Sequence, residues 1–140
     1  IFGILSDRIV NKSRSEAAGR KIMLILGTAI ELIACSLMLY AAGFKVLTYF
    51  ACLLFAIYWA VIPGGVVGYA GAVFGEKNLG KIWGLATLIV MGIGSFTGTL
   101  MGGWLRDISG VYRYSIYFSL FSFLLAMIFA ISLPNKIIRR

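Results

Sequence analysis

Few side chains in this sequence are of a type that does chemistry, and their spacing decides which kind. There is no histidine, no acidic pair, no Gly-x-Ser-x-Gly turn and no cluster at metal-ligand spacing. Hydrolytic, nucleophilic and metal-assisted reactions therefore have no residues to run on, and neither an enzyme nor a cofactor is expected. Cys35 and Cys52 form no C-x-x-C pair and read as buried free thiols. What remains is Glu31, an acid inside an apolar run, then Tyr58 and Trp59 in a second run and Ser95 and Thr99 in a third. A carboxyl held away from water suits proton or ion coupling. Rings and hydroxyls facing one space suit holding a solute rather than converting it.

The elements that must position these residues follow from composition. Of 140 residues 61% are hydrophobic and 13% charged, and the mean hydropathy is +0.96. The charges cluster and leave uncharged runs of membrane length. A bilayer core of about 30 Å takes ~20 apolar residues as a helix. The expected architecture is all-α and integral to a membrane, with complete spans over residues 22–42, 46–74, 82–105 and 114–133. Residues 1–6 read as the end of a further helix, 7–21 as a polar loop, and 134–140 as a tail that Pro134 separates from the last span. No basic stretch precedes the first apolar residues and no cleavage site follows them, so they do not read as a signal peptide.

The formal charge of +8 does not point to nucleic acid, because the basic residues sit at span ends without interleaved stacking aromatics. Arg8, Lys12, Arg14, Arg20, Lys21, Lys77, Lys81, Lys136, Arg139 and Arg140 fall at one side, and Lys45, Arg106 and Arg113 at the other. That bias places the loop 7–21 and the C-terminus in the cytoplasm. Tyr40, Phe44, Tyr49, Trp83, Trp104, Tyr112, Tyr114 and Tyr117 lie near span ends, as interfacial anchors do.

Anchoring does not explain everything. Tyr58 and Trp59 lie at mid-span, where lipid offers no hydrogen-bond partner. They either pack against another helix or line a cavity, and adjacent residues diverge by ~100°, so one of the two is expected to face it. Pro63-Gly64-Gly65 follows in a run too long for a straight crossing, which predicts a bend that is either static or a moving hinge. Gly94, Gly98 and Gly102 recur every four residues, a spacing that predicts close approach of another helix, with Gly64, Gly68, Gly71 and Gly75 as a partner surface. Ser95 and Thr99 share a face among them and are expected to line a cavity. Glu31 is the one ionisable group deep in a span; it serves ion coupling or bonds a neighbouring helix.

Two motif sets carry a family resemblance. Gly3-Ile4-Leu5-Ser6-Asp7-Arg8 with Gly19-Arg20-Lys21 resembles the cytoplasmic loop signature of the major facilitator superfamily of secondary transporters, with ten residues, Ile9 to Ala18, where that family has one or two. Gly80-Lys81-Ile82-Trp83-Gly84-Leu85 and Gly102-Gly103-Trp104-Leu105-Arg106-Asp107 with Ser109-Gly110-Val111-Tyr112 are similar to monocarboxylate and oxalate–formate type members. The resemblance implies the last third of a twelve-helix carrier, from the end of helix eight to helix twelve, working by alternating access. It implies a small organic anion as solute, the remaining helices of the same carrier as partners, and a plasma (inner) membrane location. The span 82–105 has no basic residue, so an anion's positive partner would come from other helices. Gly3, Asp7, Arg8, Gly19, Arg20 and Lys21 would form a cytoplasmic gate, with the Asp7 carboxylate at a helix N-terminus across the interface. The other class that fits the same hydropathy is a self-standing four-helix membrane scaffold or partner subunit.

Overall fold

The computed structural model describes the backbone of residues 2–13, 15–41 and 43–135, and the side chains of all of these except 2–6 and 76. The described chain is helical throughout, without a strand. The elements are α1 (Phe2–Lys12), α2 (Glu16–Tyr40), α3 (Lys45–Phe74), α4 (Glu76–Thr87), a π-helical segment (Leu88–Gly94), α5 (Ser95–Ser109) and α6 (Arg113–Ser132). α4, the π segment and α5 run on as one rod. Four stretches are long and apolar enough to cross a membrane: Glu16–Tyr40, Lys45–Phe74, Lys77–Ser109 and Arg113–Ser132.

The polar stretch 7–21 is not the loop that its charges suggested. α1 continues to Lys12 and α2 opens at Glu16, so the turn shrinks to the residues between them. Local hydrogen bonding explains both ends. Ser13 Oγ donates to the Ile9 carbonyl at 2.7 Å and closes α1. Ser15 is the N-cap of α2, its Oγ accepting from Ala18 N at 3.2 Å, with Glu16 in the first turn. The loop expected over 75–81 likewise contracts to Gly75, at φ 80°, a backbone conformation that other residues adopt only with strain. The turn expected at 106–113 is three residues, begun by Gly110 at φ 73°, whose N–H caps the Arg106 carbonyl at 2.7 Å.

The core forms where α2 meets α3 and α6. Ala17, Leu24, Tyr69, Val73 and Ala130 are buried there, with Ile25, Ile62, Val66, Ala72 and Leu133 packed around them. Glycines on α2 and α3 permit the close approach. A Cβ on Gly27 would come within 2.6 Å of Ile62 Cδ1, one on Gly65 within 3.2 Å of Leu24 Cδ2, and one on Gly68 within 2.8 Å of Arg20 Nε. Gly65 and Gly68 therefore face α2, and the α3 glycines do not meet the rod's stripe as expected. Among the described residues nothing lies within 4 Å of a Cβ at Gly84, Gly92, Gly98, Gly102 or Gly103, and at Gly94 only its own rod's Ile89 carbonyl does. The stripe is open because the rod stands off: none of its π segment or α5 residues is buried. The π segment's backbone approaches no helix beyond α4 and α5 among the described residues. Ser115 Oγ of α6 bonds the Gly102 carbonyl at 2.8 Å and ties the far end of the rod down.

Pro134 ends the last span. Three side chains bind the carbonyls that follow α6. Lys21 Nζ bonds the Leu133 carbonyl at 2.8 Å, Tyr69 OH the Pro134 carbonyl at 2.8 Å, and Ser15 Oγ the Asn135 carbonyl at 2.9 Å. The start of α2, the end of α3 and the end of α6 thus share one end of the bundle. At the other end Met38 and Leu39 gather with residues Val111–Tyr114.

Candidate functional site

Between the middle of α3 and the rod lies a cavity of about 320 Å³. Tyr58, Trp59, Ile62, Pro63 and Val66 form one wall, and Trp83, Ala86, Thr87, Val90 and Met91 the other. Both Tyr58 and Trp59 border it, against the expectation that only one would. Their rings meet edge-on, with centroids 6.2 Å apart at 80°. Tyr58 also packs on Phe55 of its own helix and edge-on against Phe123 of α6, 5.8 Å away, so its ring is held on three sides. Trp83 was expected only as an interfacial anchor; it forms the opposite wall instead. Its place at a span end hid that role, because the rod's lean over α3 cannot be read from local sequence.

Two backbone irregularities border the same space. Pro63 has no N–H to give the Trp59 carbonyl, so the helix loses a ladder bond beside the cavity. α3 nevertheless runs unbroken from Lys45 to Phe74 with Pro63 inside it. Gly64 faces open space, whereas Gly65 is a contact for Leu24. Across the cavity Val90 and Met91 belong to the π segment, a rare geometry found mostly at functional sites. β-branched Ile89, Val90 and Ile93 with Gly92 and Gly94 weaken the α-helix there. Thr97 Oγ1 shores up its end by donating to the Ile93 and Gly94 carbonyls at 2.7 and 3.1 Å.

Ser95 and Thr99 do not join the cavity. They are exposed on α5, where Thr99 Oγ1 donates to the Ser95 carbonyl at 2.8 Å. The Thr99 hydroxyl is satisfied on its own helix. Cys52 is also exposed rather than buried, and Cys35 is half-buried.

Glu31 is 2% exposed. Its Oε1 accepts from Cys35 Sγ at 3.8 Å one turn away, and its Oε2 has no hydrogen-bond partner among the described residues. The bond to a neighbouring helix that was one expectation is not made among them. The antiparallel register set by Arg20 on Gly68, Leu24 on Gly65 and Gly27 on Ile62 carries on to Glu31 opposite Tyr58. A buried acid therefore stands against a residue of the cavity wall.

The motif residues gather at the end of the bundle that carries the clamp. Arg20 reaches Asp7 at 3.8 Å and Glu16 at 3.6 Å, and lies over Gly68 of α3. A Cβ on Gly19 would come within 2.7 Å of Val10 Cα, so Gly19 sets the approach of α1 to α2. Lys21 is committed to the Leu133 carbonyl. Arg8 is exposed and borders a shallow groove with Lys12. Within the described residues Asp7 pairs with Arg20 rather than capping a helix. Gly3 lies in α1, and its surroundings are outside what the structure describes. The basic positions Arg14, Lys136, Arg139 and Arg140 fall outside the described residues as well. Comparison with protein-family models, with curated proteins and with solved structures found no match for this chain.

Proposed function

We propose that the chain is part of a secondary active transporter of major facilitator type, moving a small solute by alternating access. The observation that supports this best is the mid-span cavity bordered by Tyr58, Trp59, Pro63 and the π segment, with the buried Glu31 in register against Tyr58. Transporter sites lie near the bilayer midplane at interrupted helices. A carboxyl buried in a membrane span is costly and marks function. Glu31 would carry the coupling proton.

Asp7, Arg8, Gly19, Arg20 and Lys21 would form the cytoplasmic gate, with the Asp7–Arg20 pair as its latch. Asp7 is 69% exposed, so the pair contributes no more than about 1 kcal/mol. A weak latch suits a contact that opens each cycle. The remaining helices of the carrier would cover the rod's open glycine face. That face also suits a scaffold or partner subunit without transport, the second reading. An organic anion, as the resemblance implies, would need its positive partner from those other helices.

The test is uptake by cells expressing the chain together with the remaining helices of the carrier, given radiolabelled lactate, pyruvate, oxalate and organic cations under an imposed pH gradient. At least one solute should accumulate in a gradient-driven manner. Trp59→Ala should abolish this, and Glu31→Gln should remove the pH drive. Accumulation of none, or accumulation indifferent to both substitutions, removes the reading in favour of the scaffold.

A further inference from the structure

We propose that the cavity between α3 and the rod is an aromatic cage for a lipophilic organic cation. This rests on reading the cavity as a solute site and names the class of solute. Three polarised rings, Tyr58, Trp59 and Trp83, border one space of about 320 Å³, within the range of small-molecule pockets. Such rings present negative faces, and indole binds cations best among the side chains. Among the described residues no Lys or Arg borders the cavity. The rest of the wall is aliphatic, apart from Met91 and Thr87.

The electrostatics agree in sign. Glu31 is the acid in register with Tyr58, and in its ionised form it attracts a cation in the cage and repels an anion. Low-dielectric surroundings strengthen both effects. The cage also has a reason for its shape: Phe55 and Phe123 pin the Tyr58 ring, so the aromatic wall is ordered before a ligand arrives. Apolar aliphatic walls with a cation-attracting face favour a cation whose charge is wrapped in hydrocarbon over a hydrated metal ion.

The probe is radiolabelled tetraphenylphosphonium, measured by equilibrium dialysis against the full chain in uncharged detergent micelles, with empty micelles subtracted. Tetraphenylborate, of the same shape and opposite charge, is measured separately. Tetraphenylphosphonium should bind saturably and tetraphenylborate should not. Trp59→Leu and Trp83→Leu should each weaken the cation by about two- to thirtyfold, the range for one ring face. Glu31→Gln should also weaken it. Trp104→Leu, on the same rod but away from the cavity, should leave it unchanged and controls for damage to the fold. Unsaturable binding, equal binding of tetraphenylborate, or an equal loss in Trp104→Leu overturns the cage. Cage-dependent binding by a protein that carries no solute keeps this inference and removes the transport reading. Transport of another solute that needs Trp59, without tetraphenylphosphonium binding, does the reverse.

Discussion

Glu31 and Gly19 show how differently single residues can be read. Glu31 stands out in any reading because an acid without charged neighbours in an apolar run has no surface to reach. Its burial makes a stability prediction possible. Oε2 is buried without a partner among the described residues, so Glu31→Leu, close in volume, should raise stability by about 1–3 kcal/mol while abolishing pH-driven uptake. Thermal unfolding in detergent beside uptake checks both halves; a lower midpoint contradicts the burial argument. Gly19 looked like one letter of a motif, yet a methyl group in place of its hydrogen would stand 2.7 Å from the Val10 backbone. Gly19→Ala should cost about 1–3 kcal/mol because the backbone must move. Gly84→Ala, with nothing within 4 Å, should be neutral or stabilising by up to ~1 kcal/mol. Equal midpoints for the two in the same unfolding assay would contradict the packing at the α1–α2 turn.

At the level of elements, the spans were legible and their ends were not. Apolar runs report where lipid could be met, so the four helices long and apolar enough to cross a membrane followed from hydropathy alone. The helical ends beyond them, 7–12, 16–21 and 76–81, are polar yet helical, because a helix does not stop where lipid does. Ser15 was the available sign of this, a capping residue ahead of Glu16 and Ala17 that the surrounding charges masked. The π segment had no such sign: a run of Leu, Ile and Val reads alike in either helix geometry. Gly94, Gly98 and Gly102 suggested a packed stripe, but periodicity tells which residues share a face and not what lies opposite. Gly64→Ala isolates the hinge, since Gly64 faces open space while Gly65 touches Leu24. It should leave the unfolding midpoint within about 0.5 kcal/mol and lower turnover severalfold; unchanged turnover means a static bend. Tyr69→Phe removes the bond to the Pro134 carbonyl and should cost about 0.5–1.5 kcal/mol. Faster amide exchange at the end of α6 would show it.

The whole molecule is a three-helix core, α2, α3 and α6, with a rod arched across one side and a cavity beneath. The aromatic wall at Tyr58 and Trp59 could be read from two residues stranded at mid-span. The opposite wall, Trp83 to Met91, could not, because only the tertiary path of the rod puts it there. The sorting of the ends rests on direct contacts. The hydrogen bonds of Ser15, Lys21 and Tyr69 to residues Leu133–Asn135 hold three chain segments at one end. A rod from Lys77 to Ser109 separates Lys77 from Arg113 by the length of a crossing. Single cysteines at positions 12, 77, 45 and 113, in a chain with Cys35 and Cys52 replaced by alanine, should divide under a membrane-impermeant maleimide applied to intact cells. Positions 45 and 113 should label and 12 and 77 should not; labelling of 77 and 113 from the same side would contradict the four-span arrangement on which the proposed solute site depends.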